Sequence, residues 1–138
     1  MKKYRCLTKY LVWLERDKIG EWVFDHKNEG TMEHPVQAPF VSYTTTIYLF
    51  IDDVYDFSER NKEFELDRYD MILEENGIKW GADSMDNADV SKMDGRGVMA
   101  LIMGAVRAER FSDGALLHFF RNGTMRKWLE RLKEIDRT

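Results

Sequence analysis

Apolar residues recur at helical spacing along most of this chain. The clearest case runs from Val98 to Val106. Val98, Ile102 and Ala105 form one row of a helix, and Met99, Met103 and Val106 form the next. Continuing the two rows gives Glu109 and Arg110, so an acid and a base stand where the pattern asks for core residues. Asp94 can cap this helix, which is expected to end near Arg110 and to be the most buried one. Its Gly97, Ala100, Gly104 and Ala108 are small. The glycines cost helix propensity but let a neighbouring backbone come close.

The same periodicity predicts a first helix from about Lys3 to Arg16, with Tyr4, Leu7, Leu11 and Leu14 on one face. A second spans Thr44 to Arg60, on Ile47, Phe50, Ile51, Val54 and Phe57. A short one follows from Asp67, a good N-cap, to Glu75, closed by Asn76-Gly77-Ile78 as a glycine C-cap with its apolar clasp. Lys79 to Met93 reads as loop. Ser112-Asp113 caps a helix reaching Arg121, Asn122-Gly123 breaks the chain, and Thr124 caps the last helix, with Met125, Trp128, Leu132 and Ile135 as its stripe. Residues 21–43 differ. Glu21–Phe24 and Phe40–Tyr43 have strand composition, separated by Asn28-Glu29-Gly30, Pro35 and Pro39. The fold class is therefore mainly α: five to six helices around a central buried helix at about 94–110, with a short extended segment or hairpin in 21–43.

Length and composition sharpen this reading. The 138 residues fit one domain, 1–138, large enough for a real core. Cys6 is the only cysteine, so no internal disulfide can form. The apolar run Leu11–Leu14 is too short for a signal-peptide core, and no stretch approaches the ~20 apolar residues of a membrane span. A soluble, cytoplasmic protein is expected. The net charge of −4 hides three zones: +4 over residues 1–20, −11 over 21–92 and +3 over 93–138. The acidic middle disfavours nonspecific nucleic-acid binding.

Candidate chemistry centres on Arg107, Glu109, Arg110 and Asp113, four charges in seven residues. Cations suit a helix C-terminus, and the free N–H groups of the next helix can cradle an anion. A pocket for a small anionic ligand is one reading; His118, on the next helix among Leu116, Leu117, Phe119 and Phe120, could join it but reads first as a structural histidine. A structural ion network is the other, and it carries more weight because buried charges usually find internal partners. Glu109 is expected to be buried and paired with Arg110 or Arg107. Asp52-Asp53-Val54-Tyr55-Asp56 matches a D-D-x-x-D magnesium-diphosphate pattern. The chain is too short for that fold and lacks a second acidic motif, so a solvated face is the better reading. His26, His34 and His118 have no ligand spacing and a lone cysteine completes no zinc set, so neither metal nor cofactor is implied. The last two helices have helix-turn-helix dimensions with Arg126, Lys127, Arg131 and Lys133, but Glu130 and Glu134 interleave with them.

The run Gly104-Ala105-Val106-Arg107-Ala108-Glu109-Arg110-Phe111-Ser112-Asp113-Gly114-Ala115-Leu116, with Trp128-Leu129-Glu130-Arg131-Leu132 after it, resembles a family of small bacterial proteins of unknown function. Pro39-Phe40-Val41-Ser42-Tyr43 ahead of Phe50-Ile51-Asp52-Asp53-Val54-Tyr55 carries the same resemblance. It implies a free-standing bacterial cytosolic domain and brings no activity, ligand or catalytic residue. The first expectation for function is a binding or adaptor module without catalytic activity, for a protein partner, a further copy of itself or a small anion. The second is a small enzyme or ligand sensor using Arg107, Glu109, Arg110, Asp113 and His118. The third is a DNA-binding regulator.

Overall fold

A computed structural model describes residues 2–14, 19–23 and 40–138. The fold is mainly α with one short antiparallel hairpin. In chain order the elements are α1 (Arg5–Thr8), α2 (Leu11–Leu14), β1 (Gly20–Val23), β2 (Phe40–Tyr43), α3 (Thr45–Arg60), α4 (Tyr69–Glu75), α5 (Ala82–Asp86), α6 (Gly95–Ala108), α7 (Ala115–Arg121) and α8 (Thr124–Asp136). Single 3₁₀ turns at Lys62–Phe64, Leu66–Arg68 and Val90–Lys92 join them.

The centre is α6. Every residue from Gly97 to Val106 is buried, and α3, α4, α7 and α8 all pack on it. Asp94 caps it as the sequence predicts, its carboxylate accepting from the Gly97 N–H at 2.8 Å. The small residues serve a different purpose from the one expected: side chains fill the space above them rather than backbone. A Cβ at Gly95 would overlap the Tyr4 hydroxyl, and one at Gly104 would lie 3.2 Å from the Met85 methyl and 3.3 Å from the Trp80 ring. Trp128 of α8 is fully buried beside Phe119, ring centroids 5.3 Å apart. Its indole N–H has no acceptor among the described residues. Such an orphan typically costs about 1–3 kcal/mol, comparable with what burying so large a ring contributes.

Several boundaries depart from the sequence pattern. The first helix is broken at Lys9–Tyr10 into α1 and α2. Tyr10 turns inward there, donating to Asp53 Oδ2 at 2.5 Å and meeting Phe50 edge to face. Arg16, its expected end, lies outside the described residues. Asp67 is not a cap but sits in the 3₁₀ turn that leads into α4. The C-cap of α4 matches its expectation. Gly77 takes φ +73°, its N–H donates to Glu74 and that of Ile78 to Leu73, and Ile78 is buried. Lys79–Met93 is not a plain loop. It contains α5, whose Met85 is buried, and the Val90–Lys92 turn, whose Val90 is buried. Tertiary contacts of this kind order so polar a segment.

The hairpin pairs Gly20 with Tyr43 and Val23 with Phe40, matching the strand composition of both segments. Phe24, Asn28-Glu29-Gly30, Pro35 and Pro39 lie outside the described residues. The hairpin is joined to the helices by polar contacts. Thr44, which precedes α3, donates from its backbone N–H to the Ile19 carbonyl at 2.9 Å, and Arg121 donates to the Gly20 carbonyl at 3.2 Å.

Filling the space above Gly104 should be costly. Gly104→Leu would push into Trp80 and Met85 and should lower stability by about 1–3 kcal/mol in urea unfolding. An unchanged midpoint would show that α5 is not packed on α6.

Candidate functional site

The corner between α6 and α7 contains the four charges that the sequence singles out, and the structure separates them. Glu109 ends α6 and is half-buried. No arginine among the described residues meets it. Its Oε1 accepts from the Tyr43 hydroxyl at 2.5 Å and from the Leu116 N–H at 3.0 Å, and its Oε2 accepts from the Gly114 N–H at 3.0 Å. The Tyr43 oxygen in turn accepts from the Leu117 N–H at 3.1 Å. The N-terminus of α7 is thus capped by a carboxylate from the preceding helix and a phenol from the hairpin. Ser112 and Asp113, the expected caps, offer it no side-chain bond; Ser112 accepts from the Ala115 N–H through its carbonyl alone, at 3.1 Å. Gly114 precedes α7 with φ +89°, and the Trp22 ring lies where a Cβ would stand. Burial, together with the bond to Glu109 and its negative charge, pushes the Tyr43 phenol far above its ordinary pKa, so it stays a donor.

Arg107 and Arg110 face α3 instead. The Tyr55 hydroxyl, and behind it Tyr69, raises the pKa of the Arg107 guanidinium. Arg110 is exposed, with its guanidinium 6.0 Å from the Tyr55 ring centre.

A second cluster was not visible in the pattern. Asp86, at the end of α5, lies 2.6 Å from His118 Nε2 and accepts from the Thr124 hydroxyl at 2.7 Å. Lys127 Nζ donates to the Asp86 and Ala88 carbonyls, and Arg131 donates twice to the Met93 carbonyl. Burial opposes ionisation of Asp86. The bonds from His118 and Thr124 outweigh it and hold the carboxyl below its ordinary pKa. Thr124 therefore anchors α5 rather than capping α8, which is preceded by Gly123 at φ +79°. Lys127 is half-buried over these carbonyls, while Lys133 is exposed.

Between the two clusters lies a groove of about 450 Å³ lined by Trp80, Ala82, Met85, Phe111, Phe119 and their neighbours. Asp113 and His118 line it; Arg107, Glu109 and Arg110 do not. Trp80 is fixed by a 2.9 Å bond from its indole N–H to the Gly104 carbonyl. The Phe111 ring stands nearly perpendicular to it, centroids 5.7 Å apart and planes at 83°. Phe111 is 77% exposed and Trp80 41%. A second groove of about 400 Å³ shares Gly114 and His118 and is walled by Trp22. The signal for Trp80 was weak: one tryptophan in an otherwise polar stretch. Phe111 carried none, because it follows the helix end.

Among the described residues no three His, Cys, Asp or Glu side chains could hold a metal. Asp53 of the D-D-x-x-D match is engaged by Tyr10 and Lys9, and Asp56 by Arg60. His26 and His34 lie outside the described residues. No helix of the described residues is long and apolar enough to cross a membrane.

Fold and site together define a small helical protein with a solvent-facing aromatic groove beside an internally capped helix corner. The chain belongs to a family of unknown function, DUF6508, whose model matches residues 2–138. Comparison with curated proteins and with solved structures found no match.

Two measurements test these clusters. Glu109→Ala should cost about 1.5–3 kcal/mol, because it strips a charged acceptor from three donors. Tyr43→Phe should cost less, and a double-mutant cycle should show coupling of about 0.5–3 kcal/mol; strict additivity would rule out the shared cap. The second concerns acid. A carboxyl whose folded pKa lies below its unfolded value of about 3.9 stabilises the fold above that pH and loses the contribution as pH falls through the folded value. Asp86→Asn should therefore be less stable near neutrality and lose less stability between about pH 5 and pH 2. Parallel stability curves for both proteins would refute this role.

Proposed function

We propose that the protein is a binding module without catalytic activity, and that it takes an apolar group of a small molecule into the groove between α5 and the α6–α7 corner. The observation that carries this reading is the Trp80–Phe111 wall: two large rings kept in solvent by a rigid scaffold. Exposed aromatics arranged around a concavity mark binding surfaces more often than isolated ones do. The groove volume of about 450 Å³ is that of an ordinary small-ligand site. Of the five residues proposed from the sequence as ligand contacts, Asp113 and His118 border this groove and carry that role here. The donors at the start of α7 are already bound by Glu109 and Tyr43, which argues against an anion there. Lys127 and Arg131 spend donors on backbone carbonyls, which argues against a helix-turn-helix role. A cytoplasmic location accompanies this reading, supported by Cys6, which has no second cysteine in the chain to pair with.

The test is a titration with benzyl alcohol followed by NMR. Saturable shifts are expected at the Trp80 indole N–H, the Met85 methyl and the Ala115 amide, and Phe111→Ser should abolish them. Shifts scattered over the surface, or growing linearly without saturation, would refute the reading. A sedimentation coefficient that drops on Phe111→Ser would show instead that the groove joins copies of the chain.

A further inference from the structure

The groove is not neutral. Asp113 is the acidic residue that lines it, and among the described residues no lysine or arginine does. His118 already faces the Asp86 carboxylate. The Asp113 carboxylate is exposed at the rim, with no hydrogen bond or ion pair among the described residues. The arginines closest to it in the sequence turn elsewhere, Arg107 to Tyr55 and Tyr69 and Arg110 over the Tyr55 ring. That leaves a carboxylate with no partner among the described residues two positions from Phe111.

The aromatic wall adds to this selection. Trp80 cannot offer its N–H to a ligand, because the Gly104 carbonyl takes it. What it presents is π-surface, and the perpendicular Phe111 ring makes a corner with it. Ring faces attract cations, tryptophan most strongly, and a carboxylate nearby reinforces the preference. An alkylated ammonium group suits such a corner better than a bare one. Its methyl groups bury against the rings, and it loses little hydration on entry.

Building on the proposed binding role, we propose that the groove selects an organic cation, a trialkylammonium group seated in the Trp80–Phe111 corner with Asp113 as its counter-charge. The group binds through its charge and its methyl surface together, so a neutral ligand of the same shape binds less well.

Choline and 3,3-dimethylbutan-1-ol test this directly, because they differ only in a cationic nitrogen replacing a neutral carbon. Both are titrated into the full chain, with the Trp80 indole and Met85 methyl signals as readout. Choline is expected to bind about tenfold more tightly than the alcohol. Asp113→Asn should weaken choline several-fold and leave the alcohol unchanged. Phe111→Ser should remove binding of both, and the solvent position of Phe111 keeps that variant folded. Equal or tighter binding of the alcohol would overturn the cation proposal and leave the apolar groove standing. An unaltered choline affinity in Asp113→Asn would overturn the counter-charge. If choline gives no shift while benzyl alcohol does, the cation proposal falls alone. If neither gives one, the binding reading falls with it.

Discussion

One carboxylate joins three parts of this molecule that no continuous helix or sheet connects. Glu109 ends α6, receives the hydroxyl of Tyr43 from the hairpin, and receives two backbone N–H groups from the start of α7. A helix start leaves donors without intrahelical partners, and buried donors must find acceptors. Here the acceptor comes from the preceding helix, five and seven residues back along the chain. The turn between α6 and α7 is therefore tied at both ends, and its Phe111 is carried outward.

That constraint works because α6 itself is immobilised. It is buried along nearly its whole length, and its small residues admit Tyr4, Met85 and Trp80 from three other segments. Interiors are close-packed, so each such contact transmits position as well as energy. The Trp80 bond to the Gly104 carbonyl fixes a ring of a polar loop against the central helix. Asp86 performs the matching task on the other side of the groove, linking α5 to His118 of α7 and Thr124 of α8.

The groove is a consequence of these two anchors. One wall hangs from Gly104, another from the Glu109 turn, and the floor from Met85 and Phe119 of the core. Walls locked this way are preformed, the condition under which little ordering entropy opposes the proposed binding. The polar clusters that hold the walls are consumed internally. The surface left open is aromatic, with Asp113 at its edge.

The sequence alone determined the long helices and the strands. The period-3.6 rows of α3, α6 and α8 and the Asp94 cap are local patterns, and local backbone physics suffices to read them. The Gly77 closure is legible for the same reason, since few residues other than glycine enter the left-handed region there. The unusual position of Glu109 was legible too, but its partners were not. Tyr43 is 66 residues away in the chain, and no spacing rule links a strand phenol to a helix start. α5, the break at Tyr10, and the roles of Thr124, Asp86 and Trp80 were likewise decided by tertiary structure. Each satisfies or fills something supplied by a distant segment: an acceptor, a donor or a gap above a glycine. Polar partners and cavities depend on which segments meet in space, whereas hydrophobic periodicity depends only on the order of neighbouring residues in the chain.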